Sequence, residues 1–232
     1  MSNNLQIKDR LENSDLLITG RLVDASNATL FGHLAEDEEF KIIYKPVAGE
    51  RPLWDFPSGS LAAREYAAYL FSEKFGFNLV PLTVLREGPY GYGMVQQWIN
   101  DAQPEYLIEI AQEKRQSLRK MVLFDALINN ADRKFGHILL LSENIFMGCD
   151  HGVTFHVEDK LRTVLWQFAG EELYASEVTI LNQVIDHNFD ELTEFLSTQE
   201  IAAIISRSKN MLLRGKLPTP SNERPSIPWP PV

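Results

Sequence analysis

Cysteine is almost missing from this chain. Its 232 residues include a single one, Cys149, so no disulfide can form within it. Lying between Gly148 and Asp150, that thiol reads as a small filler rather than a nucleophile. Long apolar runs are missing as well. Nothing approaches the roughly 18 residues that would suggest a membrane helix, so no integral membrane contact is expected. Positive charge is in short supply: 22 Lys and Arg stand against 32 Asp and Glu, a net charge of −10. That balance argues against a general binder of nucleic acid or anionic membranes, which works by releasing phosphate counterions. The opening MSNNLQIKDRLENSD is polar and mixed in charge, unlike a signal peptide. With the scarcity of cysteine it sets the expectation of a cytoplasmic protein. The sequence has no internal repeat, no H-E-x-x-H and no Cys pair for zinc.

What is present is an ordinary globular composition, 44% hydrophobic and 23% charged. The length suits one large domain or two small lobes with an ample core. Residues 1 to 14 read as a polar lead-in with at most one helical turn. Leu16–Val23, Thr29–Leu34 and Phe40–Tyr44 read as a three-strand meander, with a turn cluster from Asp24 to Ala28. In the third strand, side-chain alternation puts Ile43 and Lys45 on one face. A Pro- and Gly-rich loop, residues 46 to 60, follows, with Trp54 and Phe56 expected to be buried. Ser58 or Ser60 would cap a helix from about Leu61 to Phe75 that carries Glu65. Val80–Leu85 and Tyr92–Ile99 read as two more strands.

The chain then turns helical at Pro104–Glu113 and Leu118–Ile128, where apolar residues recur at three- and four-residue intervals. Further helical segments are expected at Lys160–Phe168, Glu171–Ile185, Asp190–Phe195 and Thr198–Leu213. The last has a capping box in Ser197-Thr198-Gln199-Glu200. From Gly215 a Pro-rich tail holds six of the twelve prolines, and Trp229 within it suggests docking on the protein or on a partner.

The chemistry concentrates between Phe124 and Gly152. The helix end FDALI runs into NNADRKFGH, then ILLL, a turn at Ser142-Glu143-Asn144, IFM, and finally Asp150-His151-Gly152. Two short strands joined by a turn return the chain to its start, so Asp132 and Asp150 should converge at one end of a hairpin. Two carboxylates with His137 nearby suit a divalent ion that holds phosphate oxygens.

Asp132-x-Lys134-x-x-His137 followed by Asp150-x-Gly152 resembles the catalytic and metal loops of kinases. The string FDALINNADR looks most like the phosphatidylinositol 3-/4-kinase superfamily, and HipA-type kinases share the outline. The resemblance spans roughly Leu16 to Phe155. It implies an α+β, two-lobe protein-kinase-like fold, with a small antiparallel-sheet N-lobe over residues 15 to 100, a mainly helical C-lobe over 101 to 214 and a tail over 215 to 232. It implies ATP with Mg²⁺, or Mn²⁺, as the nucleotide and metal. Carried over position by position, Asp132 would orient the acceptor hydroxyl and Lys134 would meet the transferring phosphate. Asp150 and His137 would hold metal. Lys45, fixed by Glu65, would hold the α- and β-phosphates, and Ile43 would touch the base. Ser26 and Asn27 would cover the phosphates in a turn without glycine, and Gln96, Gln97 and Trp98 would form the hinge. His137 stands where the family has Asn, which favours Mn²⁺ or Zn²⁺ over Mg²⁺.

The acceptor is open: protein, small molecule or lipid. A nucleotide-binding pseudokinase is the main alternative. A metal-dependent hydrolase built on Asp150 with His137, His151 and His156 is a further one.

Overall fold

A computed structural model describes residues 2–22, 27–99 and 107–232. Five strands form one antiparallel sheet in the order β1-β2-β3-β5-β4. They are β1 (Leu16–Arg21), β2 (Leu30–Leu34), β3 (Asp37–Pro46), β4 (Thr83–Gly88) and β5 (Gly91–Gln97). Alternation decides the faces of β3. Ile42 and Tyr44 are fully buried in a small core with Leu34, Val84 and Val95. Ile43 and Lys45 point the other way; across the sheet Ile43 pairs with Phe31 on one side and Gln96 on the other.

The lead-in is a full helix, α1 (Ser2–Asn13), rather than a single turn. Its apolar Leu11 is completely buried in the small core, and Arg86 of β4 donates to its terminal carbonyls, Leu11 O at 2.9 Å and Ser14 O at 2.7 Å. Tertiary burial and a borrowed cap thus stabilise a segment too polar to be recognised from periodicity.

α2 (Leu61–Lys74) follows the loop of residues 47 to 60. Ser60 sits at its N-cap, but its hydroxyl caps no backbone amide and accepts from the Arg64 side chain at 3.3 Å. The exposed amides are instead taken by Glu50, whose carboxylate accepts from Leu61 N at 3.1 Å and Ala62 N at 2.8 Å. Phe56 is buried as expected, but Trp54 is 91% exposed, with Lys160 Nζ 4.8 Å from its ring centroid.

The remaining helices are α3 (Leu107–Gln112), α4 (Gln116–Ile128), α5 (Ala175–Asp186) and α6 (Thr198–Arg214). Ser197 and Glu200 form the expected capping box on α6. Between α4 and α5, strands β6 (Ile138–Ser142) and β7 (Ile145–Gly148) make the hairpin. The segment 160–168 is not an α-helix; only Trp166–Phe168 form a 3₁₀ turn. Its backbone groups are committed to the loop after α4: Arg162 N–H donates to Asn130 O at 2.9 Å and Val164 N–H to Arg133 O at 3.1 Å. The tail is extended and docks on the same region, with Phe135 N–H donating to Pro231 O at 2.9 Å and Trp166 Nε1 to Ser226 O at 2.8 Å. Trp229 itself is 89% exposed. Among the described residues no helix is long and apolar enough to cross a membrane.

Candidate active site

α4 ends at Asn129 in the left-handed conformation, φ 54°. Asn tolerates that geometry better than most residues. The loop after it is tied by side chains to the helix it leaves. Asn130 Nδ2 donates to Asp125 Oδ1 at 2.9 Å, and Asn130 Oδ1 accepts from Asp132 N at 3.0 Å. Arg133 is completely buried and forks onto Asp125, with Nε–Oδ2 and Nη2–Oδ1 both 2.9 Å. Its Nη1 reaches His137 O at 2.9 Å and Cys149 O at 3.2 Å. One guanidinium therefore stitches both ends of the hairpin to α4. Gly148 makes room for it: a Cβ there would lie 2.8 Å from Arg133 Nη1. Sequence reasoning passed over Asp125, Asn130 and Arg133. The signal was available, since Arg and Asp beside an apolar helix end must pair if they are buried.

The hairpin does bring Asp132 and Asp150 to one cavity of about 380 Å³, which Lys45 and Glu65 also line. Lys45 Nζ lies 2.6 Å from Glu65 Oε1 and 2.8 Å from Asp150 Oδ1. Glu65, on α2, is buried and also accepts from His151 N at 2.7 Å. Asp150 holds φ 59°, an uncommon value for a residue other than glycine, and its side chain is 48% exposed to the cavity. Lys134 Nζ stands 3.6 Å from Asp132 Oδ2.

His137 bridges the two carboxylate positions. Its Nδ1 is 2.7 Å from Asp132 O and its Nε2 is 3.4 Å from Asp150 Oδ2. A carbonyl only accepts, so Nδ1 carries the hydrogen. Burial holds the imidazole below its ordinary range despite the pull of Asp150. The Nε2 lone pair then faces a carboxylate oxygen.

Charge divides the carboxylates. Burial pushes Asp150 up, but Lys45 and then His137 outweigh it and hold the group well below the usual range. Burial raises Asp132 above that range, and His137 and Lys134 only partly offset it. Burial also raises Glu65 against the pull of Lys45. For Lys45, Asp150 and Glu65 overcome burial and raise the amine. Burial pushes the Cys149 thiol up to about 12, so it is no thiolate nucleophile.

The other predicted positions lie apart from this cluster. Ile43 and Gln96 are buried and do not line the cavity, and Gln96 Nε2 donates to Thr83 Oγ1 at 2.8 Å. The amides of Gln97 and Trp98 donate to Leu82 O at 2.8 Å and Lys41 O at 2.9 Å, so the sheet already uses the donors expected of a hinge. Trp98 packs edge-on against Phe31, centroids 5.2 Å apart. Asn27 lines the cavity, but its Oδ1 accepts from Arg51 N at 2.8 Å. Ser26 and the expected lobe boundary at Asn100–Asp101 lie outside the described residues. Of the histidines proposed for a hydrolase, His151 accepts from Arg133 Nη2 at 2.7 Å and His156 Nδ1 accepts from Glu158 N at 3.0 Å. Among the described residues no three His, Cys, Asp or Glu side chains converge as a metal site.

No family model matches the sequence. The Mycobacterium tuberculosis protein Rv2133c is 39% identical over 265 residues, covering 95% of this chain and 93% of that protein. Among solved structures, the Golgi casein kinase superposes with a TM-score of 0.60 at 14% identity, covering 90% of this chain and 73% of that one. Its form with Mn and ADP bound gives 0.59 at 13% identity. Hydra Fam20, solved with sugar, gives 0.61 at 12% identity and covers 90% of this chain and 87% of that chain. The likeness establishes the fold as α+β, two-lobed and kinase-like.

Proposed function

We propose that this chain, which belongs to the family of the Mycobacterium tuberculosis protein Rv2133c, is an ATP-dependent phosphotransferase acting on an alcohol. One observation carries the reading. Lys45 from the sheet, Glu65 from α2, and Asp132 and Asp150 from the hairpin meet in one cavity of a kinase-like fold. Four groups so far apart in sequence converge with the charges that phosphoryl transfer needs.

The residues fit a divalent metal. Asp150 and the Nε2 of His137, 3.4 Å apart, are the oxygen and nitrogen donors that would hold it. Such an ion would neutralise charge on the nucleotide's phosphate oxygens. A nitrogen donor beside a carboxylate suits Mn²⁺ better than Mg²⁺. A structural neighbour was solved with Mn and ADP, which agrees with this preference.

Lys45, steadied by Glu65, would orient the nucleotide phosphates. Asp132 would accept the hydroxyl proton of the acceptor while the acceptor oxygen bonds to the γ-phosphorus. The bond from that phosphorus to the β,γ-bridging oxygen breaks and ADP leaves. The raised carboxyl of Asp132 makes it a better proton acceptor than an ordinary carboxylate. Lys134, 3.6 Å from Asp132, would offset charge on the group in flight. The closer likeness to phosphatidylinositol 3-/4-kinases rests on the string from Phe124 to Arg133.

The test is a thermal-shift series with ATP and ADP, each with no metal, Mg²⁺, Mn²⁺ or Zn²⁺. Ligands of the native state raise the midpoint by mass action. The expected result is stabilisation by ATP with Mn²⁺, less with Mg²⁺, and loss of the metal-dependent part in Asp150→Ala. Turnover by Asp150→Ala equal to wild type would remove the mechanism. Stabilisation by Zn²⁺ alone, with no nucleotide effect, would replace it with a histidine–metal reading.

A further inference from the structure

The cavity extends beyond the Lys45 cluster toward the loop 47–60 and the segment after Gly152. Its far wall carries Glu50, Arg51, Asp55, Lys160 and Arg162. The acids on this wall are already engaged. Glu50 caps α2, and Asp55 accepts from Lys160 Nζ at 2.6 Å. The two arginines are not. Among the described residues the guanidinium of Arg162 has no hydrogen bond or ion pair, and its Nε is buried without a partner. Arg51 uses only its backbone amide, donated to Asn27 Oδ1 at 2.8 Å. A buried N–H without an acceptor is costly, and in a functional cavity it marks a place where a ligand completes the bonding.

The position of Arg162 assigns the ligand. Its backbone is bonded to Asn130 O at 2.9 Å, two residues before Asp132 on the loop that would orient the acceptor. The nucleotide phosphates have Lys45 and the Asp150 side of the cavity. We infer that Arg162, assisted by Arg51, forms a subsite for an oxyanion on the acceptor, so that the substrate is an alcohol that also carries a phosphate or carboxylate group. The inference rests on the phosphotransferase reading and narrows its substrate class. A guanidinium fork matches either oxyanion through two parallel hydrogen bonds, and Glu50 and Asp55 on this side are already engaged.

The experiment uses the full chain loaded with the β,γ-imido analogue of ATP and Mn²⁺, so that the nucleotide phosphate site is filled. Inorganic phosphate is then titrated and followed by calorimetry. Loaded wild type should bind phosphate, and Arg162→Gln should weaken that binding by about tenfold or more, the loss of one charge-assisted fork. Arg162→Lys should recover only part, because an ammonium lacks the fork. Arg51→Gln, at an exposed position, should weaken it by roughly threefold and keeps the test alive if Arg162→Gln fails to fold. Affinity for the analogue should stay within about twofold in all three, since that site has its own cations. Failure of loaded wild type to bind phosphate, or unchanged phosphate binding in Arg162→Gln, would overturn the subsite. So would an Arg162→Gln that loses the analogue but keeps phosphate. Each of these leaves the phosphotransferase reading standing. A wild type that takes phosphate but no nucleotide under any metal would overturn that reading instead.

Discussion

Two apolar cores of very different size share this molecule. The small one joins Leu11 of α1 to Leu16, Leu34, Ile42, Tyr44, Val84 and Val95 beneath the five-stranded sheet. The large one takes in α4, the hairpin, α5 and α6, and also Ala67, Ala68 and Phe71 of α2 with Phe75 just after it. Helix α2 lies between β3 and β4 in the chain and packs against β4 and β5, yet Ala67, Ala68 and Phe71 on it join the large core. Arg64 secures it there, donating to Thr154 O at 2.7 Å and to the Glu200 carboxylate of α6. Of the charged cluster, only Lys45 comes from the sheet. Glu65, Asp132, Asp150 and His137 all ride on elements packed into the large core. The Lys45–Glu65 pair therefore ties the sheet to an element anchored in the large core.

The largest expected effect is on the large core. Phe71 is 1% exposed and packs against Phe75, Phe77, Phe124, Phe155 and Phe189. Phe71→Ala should cost about 3–5 kcal/mol in urea unfolding and take nucleotide binding with it, because Glu65 moves with α2. Leu34→Ala in the small core should cost less, about 2–3 kcal/mol, since a shallow core collapses more easily onto a gap. If Leu34→Ala proves the more damaging of the two, the ranking of the cores is wrong.

Next comes the bolt on α2. Arg64 is 2% exposed, and removing its charge leaves Glu200 facing the interior without its partner. Arg64→Gln should lose about 3 kcal/mol, as for a broken buried ion pair. The loss should fall to about 1 kcal/mol in the double variant with Glu200→Gln, where no buried charge is stranded. Equal damage in the single and double variants would mean that shape, rather than charge, fastens α2.

Much of this was legible in the sequence, for identifiable reasons. The strands declared themselves by period-two alternation, and the hairpin by a turn flanked by apolar runs, so the meeting of Asp132 with Asp150 could be read from order alone. Lys45 and Glu65 stood out through their likeness to the strand lysine and helix glutamate of kinases, since composition alone does not pair them. Other features depend on contacts distant in sequence. The α1 helix rests on burial of Leu11 and on Arg86, 75 residues away from it. The cap of α2 is Glu50, not the local Ser60. The segment 160–168 has helix-compatible composition but spends its backbone bonds on the loop before the hairpin. Trp54, placed inside by its hydrophobicity, is 91% exposed, with Lys160 Nζ 4.8 Å from its ring centroid.

The smallest effect separates the carboxylate that meets the sheet's lysine from the one that does not. Asp150, beside Lys45, is held below the ordinary range; Asp132, dominated by burial, is held above it. The two therefore act on stability in opposite directions. Asp150 contributes stability that is full above the unfolded value of about 4 and declines as pH falls below it. Asp132 binds its proton more tightly folded than unfolded, so its contribution is full below about 4 and is lost as pH rises through the raised folded value. Without nucleotide or metal, the advantage of wild type over Asp150→Asn should shrink as pH falls from 7 toward 3. Its standing against Asp132→Asn should improve over the same range. A tenfold difference in proton affinity between the folded and unfolded chain is worth about 1.4 kcal/mol. Solvent reaching both side chains, 33% exposed for Asp132 and 48% for Asp150, reduces what is realised at each. Slopes of the same sign for both variants would show that the sheet's lysine does not discriminate between the two carboxylates.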